Sequence, residues 1–240
     1  MQNYMIFILV ILSTGTAILS MKIYLQIPSK WLCEYDESPS EIHSREFRTD
    51  NKFKTAVIIL LGALFYFAVL YIKLLKLYGS EEIRSYFLIT MEYLKITLVF
   101  ITVFVCAMSD MRYMIIPDQL CILLIVIAVF GVLTSGDDLT GGFLGIGKGL
   151  FTSGGLMFLS AVIIWVIYGA DSMGAGDIKL IAACGAVVGG GAAGVLYIVT
   201  ILLNAVYIAA GLLSRKFTSN SVQPLAHCIG AATLICIAFS

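Results

Sequence analysis

The chain has 240 residues, of which 60% are hydrophobic and 12% charged, and its mean hydropathy is +0.99. A soluble domain of this length cannot bury so large an apolar fraction, which excludes a soluble fold. Basic and acidic residues balance at 15 each, so neither a nucleic-acid partner nor an acidic tail is indicated. The composition predicts a polytopic helical membrane protein that lies in a lipid bilayer.

Apolar runs, taken in chain order, predict an all-α fold with about eight transmembrane helices. The runs lie near 4–25, 54–75, 87–108, 115–134, 148–168, 177–190, 192–213 and 223–239. An even number of spans places both termini on the same side of the membrane. The first run has no basic residue ahead of it and no cleavage site of small residues, so we expect a retained anchor and not a removed signal peptide.

The basic residues predict the orientation. Segment 26–53 is the only long polar stretch, and the positive-inside rule makes it a cytoplasmic loop. The inner side then carries ten basic residues (Lys22, Lys30, Arg45, Arg48, Lys52, Lys54, Arg112, Lys179, Arg215 and Lys216) and the outer side four (Lys73, Lys76, Arg84 and Lys148). Both termini are therefore expected outside. We divide the chain into an N-terminal two-span region, 1–90, and a six-span core, 91–240.

Three local patterns predict features away from any chemistry. Residues 135–142 are rich in Gly and Asp, as is typical of an external turn. Glycines cluster at 141–155 and 185–194, which favours close helix packing, and Gly189–Gly191 indicates a break between the sixth and seventh spans. Glu92 lies three residues before Lys95, so we expect an ion pair on one helix.

Two aspartates are the main candidates for catalysis. Asp110 closes the third span and Asp177 opens the sixth, so the topology places both at the cytoplasmic side. An aspartic protease needs such a pair, because one carboxylate accepts a proton from water while a protonated partner polarises the scissile carbonyl. Gly174 and Gly176 would let a facing helix or substrate backbone approach Asp177. Capping of a helix start is the alternative explanation for Asp177.

Further polar residues flank these two positions. Pro117 and Asp118 form a Pro-Asp helix start, so we interpret Asp118 as a cap or a supporting residue of the site. Lys179 follows Asp177 by two residues and could lower its pKa, hold substrate or only satisfy the positive-inside rule. We favour the last of these. Asp171, in the loop before the glycines, is expected to face solvent.

Two strings together resemble the type IV prepilin peptidase family of GxGD intramembrane aspartyl proteases, which includes the archaeal preflagellin peptidases. The strings are Asp-x-x-x-x-x-Ile-Pro-Asp, from Asp110 to Asp118, and Gly-Ala-Gly-Asp, from Gly174 to Asp177. The resemblance implies an aspartic endopeptidase that removes a short basic leader from prepilin-like precursors at the cytoplasmic face, in type IV pilus assembly or protein secretion. Asp110 and Asp177 inherit the catalytic roles. The other motif residues inherit supporting roles: Gly174, Gly176, Pro117, Asp118 and Lys179.

The chain departs from the family's pattern in one respect. Many bacterial members also methylate the new N-terminus with S-adenosylmethionine and carry paired Cys-x-x-Cys motifs in the first cytoplasmic loop. Here that loop contains only Cys33, so we expect no methyltransferase activity and no cofactor. No metal is expected either, because His43 lies in the polar loop and His227 in the last span, where packing explains it.

Other functions fit the same residues. A proton- or cation-coupled transporter or channel also uses intramembrane carboxylates, but no internal repeat is visible, and the acids cluster at one face. A catalytically inactive scaffold is a further possibility. The presenilin-like proteases share a Gly-x-Gly-Asp string but place Tyr-Asp in the partner helix, whereas Ser109 precedes Asp110 here.

Overall fold

The structure, a computed structural model, describes residues 2–32, 52–79, 86–135, 138–169, 174–214 and 223–240. These segments contain eight α-helices, a short 3-10 helix (Ser29–Leu32) and no strand, which confirms the all-α fold. The helices are α1 (Gln2–Leu25), α2 (Lys52–Gly79), α3 (Tyr86–Tyr113), α4 (Asp118–Ser135), α5 (Leu139–Tyr168), α6 (Ala175–Val188), α7 (Ala193–Leu213) and α8 (Ala226–Phe239). Most of the loop predicted at 26–53, with Cys33 and His43, lies outside the described residues, as does Asp171.

Six of these helices, α1 to α5 and α7, are long and apolar enough to cross a membrane. The polytopic membrane character is therefore confirmed. Helices α6 and α8 have 14 residues each. At 1.5 Å per residue each is about 21 Å long, which is shorter than the roughly 30 Å hydrocarbon core. The predicted count of eight helices holds, but two of them are too short to cross the core on their own.

The start of α5 differs most from the prediction. The helix begins at Leu139 and not near 148, because Asp138 caps it: the carboxylate accepts hydrogen bonds from the backbone N–H groups of Thr140 (3.2 Å) and Gly141 (3.1 Å). The Thr140 hydroxyl, followed by these N–H groups, holds the pKa of Asp138 below its usual value. Residues 139–142 are thus the first turn of a helix, and the external turn predicted to extend through 142 ends earlier.

Glycines bring α5 and α6 into close contact, as the glycine clusters predict. A Cβ atom on Gly149 would collide with the carbonyl of Gly185, and one on Gly185 would collide with the Ser153 hydroxyl and the Gly149 carbonyl. The Ser153 hydroxyl lies 2.8 Å from the Gly149 carbonyl oxygen and 2.9 Å from that of Ile181. The predicted break after α6 is also confirmed, since Gly189 ends that helix with a φ of 86°.

Consecutive helices run in opposite directions, which gives the bundle two distinct ends. One end, called here the Asp110 end, is where α3 finishes and where α4, α6 and α8 begin. At the other end, Lys76 of α2 donates to the Phe239 carbonyl at 2.6 Å. Glu92 forms an ion pair there with Lys73 of α2, at 3.1 Å, and its charge also acts on Lys95. The i, i+3 spacing did not predict this ion pair with a residue of a second helix, and the pair expected between Glu92 and Lys95 stays a prediction.

Candidate active site

Asp110 lies in the last turn of α3 and is buried, with 5% of its surface exposed. Its Oδ2 atom accepts a hydrogen bond of 2.9 Å from the backbone N–H of Ala226, and the backbone N–H of Leu225 also acts on the carboxylate. Leu225 is the N-cap residue of α8, and its own side chain makes no capping hydrogen bond. Asp110 therefore caps α8 from another helix, in the position where an anion is favoured by the helix dipole.

Asp177 is the third residue of α6 and is partly buried. Its carboxylate interacts with the backbone N–H of Gly174, the N-cap residue, while its own N–H donates to the Gly174 carbonyl at 3.1 Å. The Asp177 carboxylate thus takes the part of the N3 side chain in a capping box, while Gly174 has no side chain to complete the motif. The Oδ1 atom of Asp177 is buried and has no hydrogen-bond partner among the residues that the structure describes. The capping role therefore explains the interaction with Gly174, and it leaves Oδ1 of Asp177 available to bind another group.

The fold brings the two aspartates together, although 67 positions separate them in the sequence. Asp177 lies close enough to Asp110 for the two charges to act on each other. Like charges at short range in a buried site cannot both ionise at low cost, so such a pair shares a proton and titrates as a unit. The fold therefore places the two carboxyl groups within electrostatic range of each other at one end of the bundle.

The connection between α3 and α4 sets the position of both motifs. Met114 has a φ of 59°, and the hydroxyl of Ser109 donates to the Ile115 carbonyl at 2.8 Å. Ile116 and Pro117 follow as buried residues, and Asp118 then begins α4. Ile116 packs against Gly176, where an added Cβ would lie 3.3 Å from the Ile116 Cβ. The absence of a side chain at position 176 thus lets the start of α6 rest against this connection.

The two motif glycines differ in their surroundings. An added Cβ at Gly174 would meet Oδ2 of Asp177 at 3.5 Å, which is an ordinary contact distance, and the Gly174 φ of −68° suits any residue. The expectation that both glycines allow a close approach is supported for Gly176. For Gly174 no such close neighbour is present among the described residues.

Lys179 and Asp118 form an ion pair beside the aspartates. The Nζ atom of Lys179 lies 2.9 Å from each carboxylate oxygen of Asp118, with 51% and 40% of the two side chains exposed. The pair joins α6 to the first turn of α4. Arg112, two residues after Asp110, stacks on the Tyr113 ring at 5.4 Å and lies beside Tyr24 of α1. Each of these cations thus contacts a group other than the two aspartates.

The sequence does not indicate the groups that bind Asp110. The N–H groups at the start of α8 belong to the backbone, so no side chain marks them. One local pattern does predict an external cap. The N-cap position of α8 holds Leu225, whose side chain cannot accept a hydrogen bond, so the cap must come from another part of the chain. The Cys106 thiol lies within range of the Asp110 charge and of Cys121. His227 packs edge-on against Tyr207, with ring centroids 4.4 Å apart, as expected for a packed residue.

Comparison with known proteins bears directly on these residues. Residues 97–214 match the model of the type IV leader peptidase family, and this range contains both motif strings. The chain is also similar to the prepilin leader peptidase/N-methyltransferase of Bacillus subtilis (strain 168), with 29% identity over 132 residues, which cover 55% of this chain. The match covers 50% of that relative, so the chain spans about half of its length. No solved structure matches the chain significantly.

The family match covers α4 to α7 and most of α3, and it stops before α8. Asp110 and Asp177 thus fall inside the matched range, whereas the N–H groups that donate to Asp110 fall outside it. Among the described residues, no group of three His, Cys, Asp or Glu side chains is arranged to hold a metal ion.

Proposed function

We propose that the protein is an intramembrane aspartyl endopeptidase that removes the short basic leader from prepilin-like precursors. The observation that carries the proposal is the pair of neighbouring carboxylates, Asp110 and Asp177, within a region that matches the leader peptidase family. The two groups come from different helices and meet at the Asp110 end of the bundle. That arrangement supports water activation by an aspartate dyad.

The reaction needs one proton to be shared between the carboxyl groups. The ionised carboxylate takes a proton from water as the water oxygen attacks the scissile carbonyl carbon, while the protonated partner donates its hydrogen to the carbonyl oxygen. Collapse of the tetrahedral intermediate breaks the C–N bond, and a proton passes to the leaving amine. The products are a leader with a new carboxylate and a mature chain with a free amine. Burial of Asp110 strengthens these electrostatic interactions.

We infer the substrate from the similarity to the leader peptidase family and from the expected topology. A precursor whose apolar helix lies in the bilayer keeps its basic leader in the cytoplasm, so the bond between them reaches the membrane edge. The basic residues of the chain favour a cytoplasmic location for the Asp110 end. We therefore propose prepilin-like precursors and the lipid bilayer as partners, with no role for nucleic acid. Reporter fusions at the C-terminus should be active outside the cell, and cytoplasmic activity would contradict this orientation.

Cleavage by purified protein in lipid nanodiscs tests the proposal. Asp110→Asn and Asp177→Asn should each lower the cleavage rate by about 10²- to 10⁴-fold, while thermal melting shows that both variants stay folded. Asp138→Asn is a matched control, since it alters an aspartate at the start of α5 and retains a capping side chain. Cleavage retained in either dyad variant would refute the mechanism. An intact precursor together with proton-coupled solute uptake would instead favour a transporter.

N-methylation is a separate question, because the name of the Bacillus subtilis relative includes that activity. We propose that this chain does not methylate its product, since segment 26–53 contains a single cysteine, Cys33, and no Cys-x-x-Cys pair. Mass spectrometry of the cleaved product, with and without S-adenosylmethionine, tests this. The product should keep the same mass in both samples, and a gain of one methyl group would refute the proposal.

A further inference from the structure

The two aspartates have unequal surroundings. Asp110 receives backbone N–H groups from Leu225 and Ala226, at the positive end of the 14-residue helix α8. Two donors and a helix dipole favour the ionised form of a carboxylate. Asp177 interacts with a single N–H, that of Gly174, and its buried Oδ1 has no partner among the described residues. A buried oxygen without a donor favours a neutral carboxylic acid, because an unpaired buried charge is costly.

We propose that the start of α8 is a positioning element of the active site: the N–H groups of Leu225 and Ala226 keep Asp110 ionised as the general base and leave the shared proton on Asp177. This inference rests on the proposed endopeptidase function and adds the assignment of roles within the dyad. Asp110 takes the proton from water through the oxygen that does not bind Ala226. Asp177 donates its hydrogen from Oδ1 to the scissile carbonyl, which supplies a partner that this atom does not find among the described residues.

The neighbouring titratable groups are compatible with this division. Asp177 of α6 lies within electrostatic range of Asp110, and so does the thiol of Cys106 of α3, which in turn interacts with the thiols of Cys121 of α4 and Cys184 of α6. The nearest cations have other contacts: Arg112 stacks on the Tyr113 ring beside Tyr24 of α1, and Lys179 binds both oxygens of Asp118. On α8, His227 packs against Tyr207 of α7 and contacts the thiol of Cys228. The backbone of α8 therefore supplies the donors to Asp110.

A single-atom change tests the role of α8. Cell-free synthesis can place lactic acid at position 226, which replaces the Ala226 N–H by an ester oxygen and keeps the methyl side chain. The same replacement at Ala232, which is buried in the interior of α8, is the matched control because it removes an ordinary helical N–H. The ester at 226 should slow precursor cleavage about 10- to 100-fold, as expected for a hydrogen bond to a charged group. The acidic limb of its pH–rate profile should move to higher pH, and that of the control should not.

A second measurement does not depend on cleavage. Infrared spectroscopy can follow the C=O band of a protonated carboxyl group in Asp177→Asn, where Asp110 remains, and in Asp110→Asn, where Asp177 remains. The band of Asp177 should persist to a higher pH than that of Asp110. The ester at 226, introduced into Asp177→Asn, should move the Asp110 midpoint to higher pH by about one unit or more.

The two measurements separate the possible failures. The reverse order of the infrared midpoints, or equal effects of the esters at 226 and 232, would overturn the assignment of roles. An absence of precursor cleavage by the unmodified protein would instead refute the proposed function. The infrared midpoints would still decide which carboxyl group the start of α8 keeps ionised.

Discussion

Substitution of Gly176 by alanine probes the contact that joins the two motifs. The new Cβ would lie 3.3 Å from the Cβ of Ile116 and 3.6 Å from its Cδ1. Carbon atoms prefer separations of about 3.5–4.0 Å. The start of α6 must therefore move away from the α3–α4 connection by a few tenths of an ångström. Because Asp177 is the next residue, this movement displaces it relative to Asp110.

The size of the effect follows from this displacement. Overpacking of this kind costs about 1–3 kcal/mol of stability. A misplacement of a full ångström can cost about a hundredfold in rate, so a shift of a few tenths of an ångström should cost roughly tenfold. We therefore expect Gly176→Ala to reduce kcat/KM for precursor cleavage about tenfold and to lower the melting temperature modestly. Gly176→Val, which adds two more methyl groups, should abolish cleavage.

Gly174→Ala is the matched control for this prediction. Its added Cβ meets Asp177 Oδ2 at 3.5 Å, and its backbone already has a φ that alanine adopts readily. Cleavage by this variant should stay within about twofold of the unmodified protein, since no overpacking is introduced. Equal loss of activity in Gly174→Ala and Gly176→Ala, or full activity in both, would refute the reasoning from the Ile116 contact.

Three other predictions concern the scaffold around the site. A double-mutant cycle with Lys179→Met and Asp118→Asn, measured by thermal unfolding, should give a coupling of only about 0–1 kcal/mol because both side chains are substantially exposed; a coupling above about 2 kcal/mol would contradict this. Gly185→Ala should destabilise the protein by about 3 kcal/mol or more through its collision with α5, whereas Gly155→Ala, with open space around it, should be neutral or slightly stabilising in the same assay. Glu92→Gln should lower stability by about 1–3 kcal/mol, because it leaves two neighbouring lysines without their carboxylate. Its pH–rate profile should not change, since about 27 Å of α3 separates residue 92 from the dyad.

The helices could be predicted from the sequence because their signals are local. Long apolar runs give the spans, and the structure confirms the break at Gly189. The start of α5 was mispredicted because glycines at 141 and 142 were given the weight of turn residues. In the structure the Asp138 cap decides where the helix begins, and glycines follow within its first turn. A cap residue two or three positions before a glycine is therefore a stronger boundary signal than the glycine itself.

The sequence could predict only those parts of the candidate site that are side chains with a recognisable chemistry. Asp110 and Asp177 stood out because a carboxylate near an apolar span needs an explanation. The partners that distinguish the two carboxylates are backbone N–H groups from a helix more than 100 positions after Asp110. The contact of Ile116 with Gly176 is likewise a product of tertiary packing. The sequence assigned the same role to Gly174 and Gly176, and only their different neighbours separate them.

The proposed role of Asp110 would couple activity to stability, because the same atoms would serve both. Asp110 lies in the last turn of α3 and also caps α8, so the charge that the proposed general base requires is the charge that stabilises the start of the last helix. Asp177 is held by the cap of α6, yet its Oδ1 has no partner within the part of the chain that the structure describes, which is a cost that a bound substrate carbonyl would relieve. Helix ends from α3, α6 and α8 must therefore be in place before either carboxyl group acquires its role. A dyad built this way forms only in the folded bundle.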